Sequence, residues 1–102
     1  MDFSEGLRRC KQYGAHLPEV TTSGETSFLK NTFGEKIFLG ATDKLTEGHW
    51  VWENTQQAVG FQDWHQGEPN NSKEEDCLEI YRSSWNDINC TNKQGIVCEF
   101  DI

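Results

Sequence analysis

Four cysteines, Cys10, Cys77, Cys90 and Cys98, restrict what this chain can fold into more than any other feature. They form an even set without a Cys-x-x-Cys pair, and zinc sites generally draw on closely spaced Cys or His pairs. A disulfide framework is the better reading, and it implies an oxidising setting: a secreted chain or the ectodomain of a surface protein. Four cysteines allow three connectivities, and spacing does not choose among them. Cross-links matter here because the apolar content is low, at 34% of 102 residues. A single domain of this size buries roughly 60–70% of its extended-chain surface, which leaves the core marginal by itself.

Charge and hydropathy exclude several partners. Seventeen acids against nine Lys and Arg give a net charge of −8, which argues against nucleic acid and anionic membrane surfaces. No run of about 18 apolar residues exists, so no membrane insertion is expected. Met1 is followed by an acid rather than an apolar run, so no signal peptide is read there, and a secreted domain of this kind reads as a processed or excised piece. The acids are unevenly spread: Glu68, Glu74, Glu75, Asp76, Glu79 and Asp87 crowd one short stretch. Such crowding costs repulsion unless a cation relieves it.

The local patterns predict one α+β domain with helices first and strands after. Phe3, Leu7 and Cys10 recur at helical spacing and predict a helix over 4–13, capped by Asp2 or Ser4 and ended by Gly14. Thr22 and Glu25 have capping-box spacing before a second helix over 24–32, with Phe28, Leu29 and Phe33 as its buried stripe and Gly34 at its end. Strands are predicted over 37–40, 50–52, 77–81 and 95–100. Between 54 and 76 lies a long polar segment, of a length that usually marks function or disorder. Phe61 and Trp64 within it favour an ordered loop.

That loop carries Gly67-Glu68-Pro69-Asn70-Asn71, followed by Glu75-Asp76-Cys77 and later Trp85-Asn86-Asp87. The polar members offer side-chain oxygens and no good zinc or copper ligand. Six to eight hard oxygens from carboxylates, amides and water are what Ca²⁺ takes. No Asp-x-Asp-x-Asp-Gly run is present, so this is not an EF-hand.

The chain resembles a C-type lectin-like domain. The matching residues run in order: Cys10; Leu39-Gly40 and Asp43; Glu47-Gly48 with Trp50 and Trp52; Phe61 and Trp64; Gly67 to Asn71; Glu75 to Cys77; Trp85 to Asp87; Cys90; Cys98-Glu99. The resemblance implies a C-type lectin-like fold of two helices and small antiparallel sheets across residues 1–102. It also implies a Cys10–Cys98 bond and a Cys77–Cys90 bond. Family members usually begin with a strand ahead of the first helix; only two residues precede Phe3, so that strand is expected to be missing.

The resemblance further implies a principal Ca²⁺ site built from Glu68, Asn70, Glu75, Asn86 and Asp87, with Pro69 in the cis form. A second Ca²⁺ would fall to Asp43, Glu47, Asn71, Glu75 and Asp76, although Asn71 stands where relatives often have an acid and the loop to Glu75 is slightly short. The same five principal residues would bind carbohydrate. Glu68 and Glu75 accept from the sugar, while Asn70 and Asn86 donate. The Glu-Pro-Asn order resembles the mannose-type site and implies equatorial vicinal hydroxyls, as in mannose, glucose, N-acetylglucosamine or fucose. Single-site affinity should be weak, so homo-oligomers would supply avidity for glycans.

Other readings fit less well. A protein-binding or surface-active member of the same fold, such as an ice-binding domain, often loses the metal ligands that this chain keeps. A hydrolase using Glu68 and Glu75 as acid and base lacks supporting residues, and ion ligation would consume both carboxylates; no enzyme is expected. Trp50, Trp52, Trp64 and Trp85 are read as core, and His16, His49 and His65 as surface or half-buried. Both Asn-x-Ser/Thr patterns, at Asn70 and Asn89, are expected to be unmodified. Glu74 and Glu79 are read as solvated charge.

Overall fold

The computed structural model describes residues 1–65 and 75–100. Helix α1 (Phe3–Gln12) opens on a reciprocal cap, in which the Asp2 carboxylate accepts from the Glu5 N–H and Glu5 accepts from the Asp2 N–H at 2.9 and 3.0 Å. These are the two otherwise orphaned donors that such a cap satisfies. Phe3, Gly6 and Cys10 form its buried stripe. Gly6 lets the helix pack closely: a Cβ there would overlap the end of the Ile96 side chain, which would have to shift. Gly14 follows with φ +73°, a turn out of the helix that suits glycine.

Helix α2 (Ser23–Phe33) starts where Thr22 accepts from the Glu25 N–H at 3.2 Å. Its buried stripe departs from the expectation. Leu29 is buried, but Phe28 and Phe33 are 64% and 51% exposed, and Thr26 takes the inward position. The cause is a hydrogen bond: the Trp85 indole N–H donates to the Thr26 hydroxyl at 3.1 Å, which satisfies both groups in the core.

Five strands form one antiparallel sheet: β1 (Phe38–Thr42), β2 (Val51–Trp52), β3 (Gln57–Ala58), β4 (Cys77–Tyr81) and β5 (Ser84–Ile88), in the order β3-β2-β1-β4-β5. The β4–β5 hairpin turns on Arg82 and Ser83, both with positive φ. Two-residue hairpin turns demand that geometry. Leu39, Leu78, Ile80 and Trp85 join Trp50, Trp52 and α2 in one core cluster, while Phe38 and Cys77 join Phe3, Cys10, Ala15 and Leu17 in a second. Phe3 and Phe38 meet edge to face at 5.6 Å.

The expected strand over 95–100 is not a ladder. Only isolated bridges form there, Ile37 with Gly95 and His16 with Glu99. The His16 and Glu99 backbones exchange hydrogen bonds of 3.0 and 2.7 Å, so the segment is held at points. Strands β3 and β5 were not anticipated.

Both disulfides follow the pairing the resemblance implied, Cys10–Cys98 and Cys77–Cys90. The first spans 88 residues and ties α1 to the C-terminal segment. Closing loops of these two sizes is worth about 4–5 and about 3 kcal/mol in the chain-entropy treatment. Replacing Cys10 and Cys98 together by Ala should lower the unfolding free energy in urea by about 2–5 kcal/mol; an unchanged midpoint would show that the helix is held by packing alone.

Candidate metal centre

Antiparallel pairing gathers acids at one end of the sheet. The register sets Thr42, at the end of β1, beside Cys77, at the start of β4, and sets Cys77 beside Ile88, at the end of β5. The residues just beyond or within those ends are Asp43, Asp76 and Asp87. The Asp43 N–H donates to the Asp76 carbonyl at 3.2 Å, which extends the β1–β4 contact by one step. Carboxylate oxygens of Asp43, Glu47 and Asp76 lie within 4.8 Å of one another.

Asp43 is the least accessible of the three, at 2% exposure. Its Oδ2 accepts from the Gly48 N–H at 3.0 Å, whereas its Oδ1 is buried with no hydrogen-bond partner. Burial raises its carboxyl above the ordinary value; the Gly48 N–H, and Asp76 when it carries a proton to share, work against the rise, and the neighbouring Glu47 adds to it. Burial also raises Asp76, with Asp43 and Asp87 adding repulsion and Lys44 opposing. A buried carboxylate oxygen without a donor is costly, and a cation held between these carboxylates would remove that cost. The donor set, all hard oxygen, fits Ca²⁺.

Asp87 is fully buried on β5, on the same face as Leu78. Asn86 precedes it, half-buried and directly across from Glu79. Consecutive strand residues leave opposite faces, so Asn86 and Asp87 point to opposite sides of the sheet. The start of the long loop runs along β5: the Trp85 N–H donates to the Asp63 carbonyl at 2.7 Å and the His65 N–H to the Trp85 carbonyl at 2.8 Å. Glu75 lies two residues before β4 and is half-buried. Thus Asp43, Glu47 and Asp76 form one cluster, Asp87 adds repulsion at Asp76, Glu75 directly precedes Asp76 in sequence, and Asn86 is held against Glu79. Glu68, Pro69, Asn70, Asn71 and Glu74 lie outside the described residues.

Two sequence readings change and one holds. Glu79 is not solvated: it is 5% exposed and accepts from the Asn86 amide at 2.8 Å and the Gln94 amide at 2.7 Å. The available signal was its spacing of two from Cys77, which shares its face. His16 is buried, with Nδ1 2.7 Å from the Leu17 carbonyl oxygen. The tryptophans are core as expected: Trp50, Trp52 and Trp85 are buried, and Trp64 packs against Trp50 and Trp85 at 5.2 and 5.9 Å.

Comparison with known proteins agrees with this architecture. A family model described as the lectin C-type domain matches residues 1–100. A perlucin-like protein of Mytilus galloprovincialis is 31% identical over 95% of this chain, which spans 69% of that relative. The CD209 antigen-like protein C of Mus musculus is 34% identical over 96% of this chain, which spans only 57% of it. Among solved structures, the human scavenger receptor C-type lectin carbohydrate-recognition domain superposes with a TM-score of 0.90 at 27% identity, covering 100% of this chain and 84% of that one. A calcium-independent type II antifreeze protein superposes at 0.87 with 20% identity, over 96% and 77%, and shows the shared fold.

The raised carboxyls give a testable sign. Asp43 and Asp76 bind protons more readily in the folded domain than in the unfolded chain. Metal-free stability is therefore reduced as pH rises from the ordinary carboxylate range through their raised values, and it stays reduced at neutral pH. Asp43→Asn removes one of these charges and keeps an acceptor for Gly48. Thermal unfolding in chelator should show a higher midpoint for this variant at pH 7 and a smaller difference near pH 4. A lower midpoint at pH 7 would contradict the account.

Proposed function

The chain belongs to the C-type lectin domain family, and on that premise we propose that it binds glycans carrying equatorial vicinal hydroxyls, of the mannose type, through Ca²⁺. The observation that carries this reading is the acidic end of the sheet, where the buried Asp43 keeps an oxygen without a partner beside Glu47 and Asp76. Asp43, Glu47 and Asp76, with Glu75 and Asn71, would hold one ion. Glu68, Asn70, Glu75, Asn86 and Asp87 would hold the principal one. Bound Ca²⁺ supplies coordination positions for two adjacent sugar hydroxyls.

The chain's own residues supply orientation. Glu68 and Glu75 accept hydroxyl protons, and the amides of Asn70 and Asn86 donate to hydroxyl oxygens. The order Glu68–Asn70 supports mannose-type over galactose-type sugars. Binding breaks no bond. The domain is read as extracellular, as part of a secreted protein or an ectodomain, and multivalent display would raise its avidity.

Titration calorimetry tests this. Ca²⁺ should bind saturably, methyl mannoside should bind only after Ca²⁺, and galactose should bind less well. Asn86→Ala should weaken Ca²⁺ by about tenfold or more, the equivalent of ~1.4 kcal/mol. Because the ligands must be deprotonated, sugar retention should fall between pH 7 and pH 4.5. An ice-binding or protein-binding role needs no ion, and a domain that ignores Ca²⁺ would favour it, in keeping with the fold shared with the antifreeze protein.

A further inference from the structure

We propose that Glu79 is a positioning residue that fixes which way round the Asn86 amide is held. The inference rests on the reading of Asn86 as an ion ligand and adds to it the residue that makes Asn86 competent. Glu79 and Asn86 face each other across β4 and β5. Glu79 is 5% exposed, and each of its oxygens has one amide donor: Asn86 Nδ2 reaches Oε2 at 2.8 Å, and Gln94 Nε2 reaches Oε1 at 2.7 Å. Burying a carboxylate is costly unless it is paired. An aliphatic side chain would fill this position, as Leu78 and Ile80 fill theirs, without that cost.

The property an acid brings here is that it only accepts. The group of Asn86 that meets Glu79 must then be the NH₂. Its Oδ1, the atom a hard cation takes, is left turned from Glu79, and one N–H remains for a sugar oxygen. The reversed amide would set two acceptors against each other. Gln94 reinforces this by filling the second carboxylate oxygen, and its backbone N–H donates to the Met1 carbonyl at 2.9 Å.

Glu79→Gln tests the idea because it keeps the shape and changes only the donor pattern. Donation from Gln94 holds the new side chain's oxygen on its own side, so its NH₂ faces Asn86. Asn86 must then turn its oxygen inward, away from the ion. In the metal-free domain, nitrogen–proton NMR should show the Asn86 side-chain amide hydrogen-bonded in the wild type and displaced in E79Q. Ca²⁺ affinity in E79Q should fall about 10- to 100-fold, the range seen when an outer partner of a metal ligand is lost.

Adding Asn86→Asp supplies the rescue. A carboxylate has no orientation to lose: one oxygen accepts from the new amide and the other faces the ion. E79Q/N86D should regain at least about tenfold over E79Q, and that gain should exceed the effect of N86D alone, as a coupled pair requires. A purely structural Glu79 predicts no such rescue. E79Q binding Ca²⁺ like the wild type, a double variant no better than E79Q, or a wild-type Asn86 amide without a hydrogen bond would each overturn the proposal. A wild-type domain that binds no Ca²⁺ overturns the metal site itself, and this inference with it.

Discussion

The pairing of β4 with both of its neighbours sets the positions of Asp43, Asp76 and Asp87 at the acidic end. β1 brings Asp43 to its start and β5 brings Asp87. β4 itself is preceded directly by Asp76, and its Cys77 is bonded to Cys90. Neither β1 nor β5 could hold these charges together alone, since carboxylates at this spacing repel. The backbone ladder, the disulfide and the buried Leu78 and Ile80 hold them against that repulsion. Stability and site are thus opposed at Asp43, whose burial disfavours its own charge.

Trp85 links this frame to the rest of the domain. It packs edge to face on Trp52, Phe61 and Trp64, and it donates to Thr26 on α2. Its backbone carries the start of the long loop through Asp63 and His65. One side chain and its peptide therefore fix a helix, the core and the loop's entry beside Asn86.

What the sequence disclosed depended on whether apolar periodicity was the signal. α1 was legible because Phe3 and Cys10 lie on one stripe and Asp2–Glu5 supply a cap. α2 was legible as an element but not in its facing, because a threonine hydroxyl and an indole N–H met in the core and Phe28 and Phe33 were left outside. β5 escaped because Ser-Trp-Asn-Asp-Ile alternates by burial, with Asp87 in an inward place that hydropathy assigns to solvent. Its turn escaped because Arg82 and Ser83 take positive φ without glycine or asparagine. Asp43, Glu47 and Asp76 were visible as a set only through resemblance, since thirty-odd residues of chain separate the first from the last. Glu79 was misread because a single acid in a strand resembles a solvent-facing one until its amide partners are seen.

The two outer strands have a consequence for association. An open sheet edge offers unpaired N–H and carbonyl groups to any passing chain. Here β3 is two residues long, and the outer side of β5 is already engaged at Trp85 by Asp63 and His65. Among the described residues, one border is therefore too short, and the other already partly occupied, to be a long free template for a foreign strand.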